Sequence, residues 1–366
     1  MPDIASGILK FDKNGTGRLV SVERSLRSSP SDCFVPPQII RQYRLAEGAV
    51  MAGPFSVVRG RKELLAVESV CGLKPQEFQK RKLFNDLVAV NPNKRFNLAK
   101  CGERSMRIID LVAPIGKGTR GLIISPPKAG KTVLLGQIAE AILYDDPKAH
   151  VIVLLIDERP EEVTSFRRKV KGAEVLASTI DGTMEEHIAL AELMLANIRV
   201  ELECGRDVVI LVDSLTRMGR SFNRKGSGTG RVMSGGVEVG ALETPRRFFG
   251  MARNIENGGS VTIIATILVD TGSRMDQLIY EEFKGTGNSE IVLDRSLAEQ
   301  RIFPAINIPA SGTRKEEILY NEQDMKGLTT MRRVLSSYKP REAIESMDKL
   351  LKKYPTNEEF LKSLAG

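Results

Sequence analysis

The chain has 366 residues, 42% hydrophobic and 27% charged, with a net charge of +8 and a sequence pI near 9.3. That length buries a large core across two or three domains, and the composition excludes a disordered or low-complexity chain. No apolar run approaches the ~18 residues of a membrane span, and no leader-like apolar segment opens the sequence, so no membrane association is expected. The basic balance suits a polyanionic partner such as nucleic acid. Four scattered cysteines (Cys33, Cys71, Cys101, Cys204) and two isolated histidines offer no disulfide framework or ligand cluster, which points to a reducing, cytoplasmic setting. With no tryptophan and 5% aromatics, base stacking must fall on a few residues.

Residues 1–72 alternate short apolar runs with turn signals such as Asn14-Gly15 and Ser28-Ser29-Pro30-Ser31. About five strands in this length predict a small OB-like (cold-shock-like) β-barrel. Residues 73–105 are polar, with Lys80-Arg81-Lys82, Lys94-Arg95, Pro75 and Pro92, and read as a connector. From residue 106 to 366 the pattern becomes α/β. Near-continuous apolar runs at 121–124, 151–156, 208–212, 261–268 and 291–293 alternate with helical stretches at 133–144 and 185–203. Strands buried on both faces and joined by helices predict a mostly parallel sheet. Residues 322–366 are charged and predicted helical.

Ser125-Pro126-Pro127-Lys128-Ala129-Gly130-Lys131-Thr132, between an apolar run and a helix beginning near Val133, has the form of a phosphate-binding loop. Backbone N–H groups of such a turn face phosphate oxygens, Lys131 reaches the β- and γ-phosphates, and the Thr132 hydroxyl ligates Mg²⁺. Ser125 stands where the strict pattern has glycine. The run 151–156 ends in Asp157-Glu158-Arg159, and Glu158 is the candidate that orients or polarises the attacking water. The run 208–212 ends in Asp213, the Walker B position that supports Mg²⁺. Three further stretches read as loops. One spans 223–236, with Arg224, Lys225, Arg231 and five glycines. The others are 281–288, with Lys284 and Gly285, and 311–315, with Arg314. Each alone fits a solvated basic turn as well as a functional one.

Taken in order, several runs resemble the bacterial transcription termination factor Rho family. They are the phosphate loop, 154–164, 280–288, and Arg301-Ile302-Phe303-Pro304-Ala305-Ile306 through Ser311-Gly312-Thr313-Arg314-Lys315. The resemblance is dense over 106–320 and thinner over 1–105. It implies a RecA-type P-loop ATPase that works as a homohexameric, ATP-dependent RNA translocase and helicase. Such a ring follows single-stranded nascent RNA to the RNA polymerase elongation complex, with a NusG-type elongation factor as a further partner. Carried over by position, Pro127, Lys128, Ala129, Gly130, Lys131, Thr132, Val133 and Arg159 would hold nucleotide, Phe303 would stack on adenine, and Glu158 would be the catalytic carboxylate. Arg314 would be an arginine finger acting in a neighbouring subunit, Arg301 a second phosphate sensor, and Arg231, Lys284 and Gly285 central RNA contacts.

The barrel departs from that family. Gly15-Thr16-Gly17-Arg18 stands where Gly-Phe-Gly-Phe is usual, Leu64 is read at the position of a stacking tyrosine, and Phe34 replaces tyrosine. Stacking contributes roughly 1–3 kcal/mol per base, so RNA held by Phe34 and Arg18 should be gripped mainly through phosphate. Two rivals remain at this point. One is an RNA-binding ring or adaptor with RNA-stimulated ATPase but no termination activity, and the other is a related motor such as a rotary ATP synthase subunit.

Overall fold

The computed structural model describes residues 3–226 and 235–365. Five N-terminal strands (Ile4–Phe11, Gly17–Val20, Cys33–Val35, Val50–Val58 and Arg61–Leu64) close into a barrel. The first pairs antiparallel with the second and the fourth, the second with the third, and the fourth with the fifth. The third and fifth run parallel and complete the ring. This is the closed barrel expected of an OB-like fold, and closure leaves no open edge. Leu9, Leu19, Val35, Met51 and Leu64 fill its interior.

Leu64 corrects one expectation. It is 1% exposed and ends the fifth strand, so it cannot stand on the outer face in place of a stacking tyrosine. Side chains alternate across a strand, and the residue registered against Phe34 is Glu63.

The barrel docks on the helix Met184–Glu203. Gly48, with φ +86°, approaches so closely that a Cβ there would lie 2.3 Å from the Asn197 nitrogen. Asn197 Nδ2 donates to the Gly48 carbonyl at 2.9 Å. The connector also reaches the next sheet, because its strand Ala89–Val90 pairs with Arg253–Ile255, which pairs with Ser260–Leu268.

The second sheet runs Glu174–Thr179, His150–Glu158, Asp207–Asp213, Ser260–Leu268, Arg120–Ser125, Ser289–Val292, and these six strands are parallel. Gly312–Thr313 adds an antiparallel end. Helix Lys131–Asp145 packs one face of the sheet together with the C-terminal helices Glu322–Leu335, Pro340–Lys353 and Asn357–Ala365. Helices Met184–Glu203 and Leu215–Lys225 pack the other. The strand cores are buried on both sides, which is why they read as unbroken apolar runs. Parallel order directs the carboxyl ends of four neighbouring strands to one rim, where ligands of open α/β sheets bind.

Candidate nucleotide-binding site

That rim collects the chemistry. Strand Arg120–Ser125 leads into a turn in which Lys128 (φ +65°) and Gly130 (φ +93°) adopt left-handed backbone, and helix Lys131–Asp145 follows. This turn presents the N-terminus of a 15-residue helix, where free N–H groups and the helix dipole favour phosphate. The Lys131 ammonium donates to both Asp213 oxygens, at 2.6 and 2.7 Å, and the Thr132 hydroxyl donates to Oδ2 at 3.1 Å. Thr266, on the strand beside it, donates to Oδ1 at 2.7 Å. Asp213 is fully buried, and these three donors satisfy its oxygens.

Glu158 ends the adjacent strand and is 1% exposed. Arg217 Nη2 donates to its Oε1 at 3.2 Å, whereas Oε2 is buried without a protein partner. Burial, and then the charge of Asp213, raise the Glu158 pKa; Arg217 and Lys131 oppose the rise. The result is a carboxylate with one unspent acceptor oxygen and elevated basicity, the properties of a general base. Arg217 Nη1 also donates to the Asp157 carbonyl, which fixes the guanidinium beside both acids.

Phe303 lies over the phosphate turn, and a Cβ on Gly130 would sit 3.7 Å from its ring. The ring is 44% exposed and forms one wall of a pocket of about 460 Å³ with Lys128, Val133, Gln137 and Arg104. An exposed aromatic face beside an apolar valine suits a flat heterocycle. Ser105 Oγ donates to Gln137 Oε1 at 2.9 Å, leaving the Gln137 amide N–H groups as edge donors. Arg159 is exposed at the start of helix Pro160–Lys169, with its backbone N–H on Glu158 Oε1 at 3.3 Å. Arg301, with φ +61°, is exposed two residues before Phe303.

Arg314 is not at this rim. Its N–H donates to the Asn288 carbonyl, at the amino end of strand Ser289–Val292. Arg120, at the same end of the neighbouring strand, is separated from Ser125 by about 16 Å of extended chain.

Residues 105–313 match the ATP synthase alpha/beta family, nucleotide-binding domain. Over 98% of its length the chain is 49% identical to transcription termination factor Rho of Aquifex aeolicus, covering 84% of that protein. The Pseudomonas aeruginosa factor of the same name is 46% identical over 98% of this chain and 87% of its own. The chain belongs to the transcription termination factor Rho family. A type III secretion ATPase from pathogenic bacteria shares the fold, with a TM-score of 0.62 over 76% of this chain and 86% of its own at 22% identity. Because the Rho relatives span barrel and motor together, the rotary-subunit alternative falls away. The RecA-type motor is an ATP-hydrolysing domain, and the protein is a member of the Rho termination factors.

The residues expected to touch RNA are spread more widely. Arg231 lies outside the described residues. Lys284 and Gly285 are exposed at the C-terminal end of helix Arg274–Lys284, with the Lys284 ammonium 5.5 Å from the Tyr280 ring. At the other end of that helix, about 15 Å away by helical rise, Arg274 lies against the downstream border of the glycine loop. A Cβ on Gly235 would lie 3.2 Å from the Arg274 carbonyl. On the barrel, Arg18 is forked onto Asp12, with Nε to Oδ1 and Nη2 to Oδ2 both 3.0 Å. The Arg61 guanidinium covers one face of Phe34 at 3.6 Å.

Sequence reading missed Arg217, Thr266, Gln137 and Arg274. Arg217 falls one turn after Asp213, where a basic residue on the helix following a Walker B strand is the available signal. Thr266 and Gln137 gave none, since each is a single polar residue inside an apolar or helical run.

Proposed function

We propose that this Rho-family chain assembles as a homohexameric ring that binds single-stranded RNA, moves along it with ATP hydrolysis, and terminates transcription at the RNA polymerase elongation complex. A NusG-type factor as a partner and the bacterial cytoplasm as the setting belong to the same reading. The observation that carries the ring is the separation of Arg314 from the phosphate loop. A cation at the amino end of the strands completes charge stabilisation only in a neighbour's site.

Within one site, the backbone of 127–130 with Lys131 would cradle the ATP phosphates. Phe303 and Val133 would hold the adenine, and Arg159 and a neighbour's Arg301 would add charge around the phosphates. Thr132 and Asp213 are hard oxygen donors and fit Mg²⁺, which when bound neutralises phosphate charge. Glu158 accepts a proton from the attacking water through its unspent oxygen, and Arg217 fixes that carboxylate in place. Lys131 offsets charge on the leaving phosphate, and Arg314 of the adjacent subunit supplies the last positive charge.

RNA coupling is assigned to the central loops, with Arg231 in the glycine-rich stretch, Arg274 beside Gly235 at its downstream border, and Lys284 and Gly285 at the other end of the same helix. The forked Arg18 and half-covered Phe34 favour a weakly selective barrel. That favours the adaptor reading only for loading, because the catalytic acids are complete.

The test is ATP turnover with and without homopolymeric RNA, for the unmodified chain and Lys131→Ala. Turnover should rise with RNA, differ little between poly(C) and poly(U), and vanish in the variant. Undiminished RNA-dependent turnover in Lys131→Ala would overturn the assignment. Strong turnover without polymerase release in a termination assay would select the adaptor.

A further inference from the structure

The four cysteines are far apart in the sequence, yet the fold joins two of them. Cys71 lies in the left-handed turn after strand Ser69–Val70 of the barrel, with φ +48° and its N–H on the Val50 carbonyl at 2.7 Å. Cys204 caps the C-terminus of helix Met184–Glu203, its N–H shared between the carbonyls of Val200 at 3.0 Å and Glu201 at 3.1 Å. The two elements are in contact. Val200 of the helix belongs to the same hydrophobic cluster as Cys71, and Cys204 packs against that cluster. A Cβ on Gly72 would lie 3.3 Å from Arg206 Nη1, just past the helix end. Cys71 and Cys204 thus meet in one packed cluster at the junction, near enough for each thiol to act on the other. Cys33 and Cys101 instead direct their thiols at backbone carbonyls, of Phe34 at 3.8 Å and Leu98 at 3.2 Å.

We propose that Cys71 and Cys204 form a redox-active dithiol that closes into a disulfide between barrel and motor. Thiols on two elements that pack in one cluster, with Gly72 beside Arg206 just past the helix end, need only a small closing movement to approach the ~2.05 Å of a disulfide. Their exposures assign the order of events. Cys204 is partly exposed and Cys71 is buried, and contact with Cys204, then burial, push the Cys71 thiol well up. A hydroperoxide therefore meets Cys204 first, giving a sulfenic acid and releasing water or an alcohol. The Cys71 sulfur then attacks the sulfenic sulfur. The S–S bond forms, the S–O bond breaks, and the Cys71 proton leaves with the hydroxyl as a second water. Two thiols are oxidised by two electrons and the peroxide is reduced by the same two. An external dithiol reverses the step.

The bond would clamp a junction that the helix already organises. Asn197 holds Gly48 of the barrel, and Glu203 accepts from the connector's Arg81 at 3.0 Å and from the Phe84 N–H at 3.1 Å. Oxidation thus adds a covalent tie to a surface across which the barrel's orientation to the motor is set.

The experiment treats the full chain with hydrogen peroxide, then alkylates remaining thiols and measures intact mass and peptide maps. The expected product is a species lighter by about 2 Da before alkylation, with two alkylatable thiols left and a cross-linked peptide holding Cys71 and Cys204. It should return to four free thiols with dithiothreitol. Cys33→Ser/Cys101→Ser should retain the cross-link, and Cys71→Ser should lose it and stop at the Cys204 sulfenic acid. Four alkylatable thiols after oxidation, over-oxidised Cys204 in the unmodified chain, or a 2 Da loss that survives Cys71→Ser would each overturn the proposal.

Discussion

Glu158 is governed by charges only a few ångströms away. Burial raises its affinity for a proton, Asp213 raises it further, and Arg217 and Lys131 pull it down. A base must be ionised to accept a proton, so activity resting on Glu158 is present above its pKa and lost as pH falls through it. The acid limb of kcat/KM should then lie above the ordinary carboxylate range. Arg217→Gln removes a counter-charge at 3.2 Å. It should move that limb to higher pH and lower turnover at neutral pH by roughly 10-fold or more. A pH–rate profile with an unmoved limb would separate Arg217 from the base. The same neighbourhood shows what sequence could and could not reveal. Lys131, Thr132, Glu158 and Asp213 stood out because each follows or ends an apolar run. Their convergence needed the parallel order of four strands, which no local pattern states. Arg274 stayed hidden because proximity to the glycine loop is a tertiary fact, whereas Lys284 sat in a recognisable run.

At the scale of elements, helix Met184–Glu203 meets barrel, connector and sheet at once. Its capping box, Thr183 with Glu186, fixes its start, and its buried side receives the barrel and the connector. The close approach at Gly48 tests this docking directly. A Cβ there would meet backbone atoms of Ala196 and Asn197 at 2.3 to 2.4 Å, and φ +86° adds strain for any other residue. Gly48→Ala should therefore cost roughly 2–4 kcal/mol of stability, read as a lower urea midpoint, and should loosen the barrel on the motor. An unchanged midpoint and unchanged proteolysis between barrel and motor would show that the junction tolerates separation. Neither the glycine nor its partner was legible in sequence, because a close approach between distant segments leaves no periodicity. The barrel itself was legible from its turns and strand count.

At the scale of the whole molecule, the proposed ring would join two residue sets that lie on opposite ends of the motor's sheet. The phosphate loop, Glu158 and Asp213 lie at the carboxyl rim, and Arg314 lies at the amino rim. Glu158→Gln and Arg314→Ala should each be inactive alone. Mixed in equal amounts and reassembled, they should restore about a quarter of the interfaces, since an intact interface needs one variant on each side. ATP turnover of the mixture should rise above both parents. A mixture as inactive as its parents would place Arg314 outside the neighbour's site.

Parity along the barrel strands has a consequence for inheritance. In Arg61–Leu64 the inward residue Leu64 closes the core, while the neighbouring Glu63 faces Phe34 on the outside. Arg18 and Leu19 divide the same way on the second strand. Alternate positions thus answer to separate selective pressures. A lineage can rewrite the outward half of the barrel, exchanging rings for fixed charges, while the folding half passes on untouched.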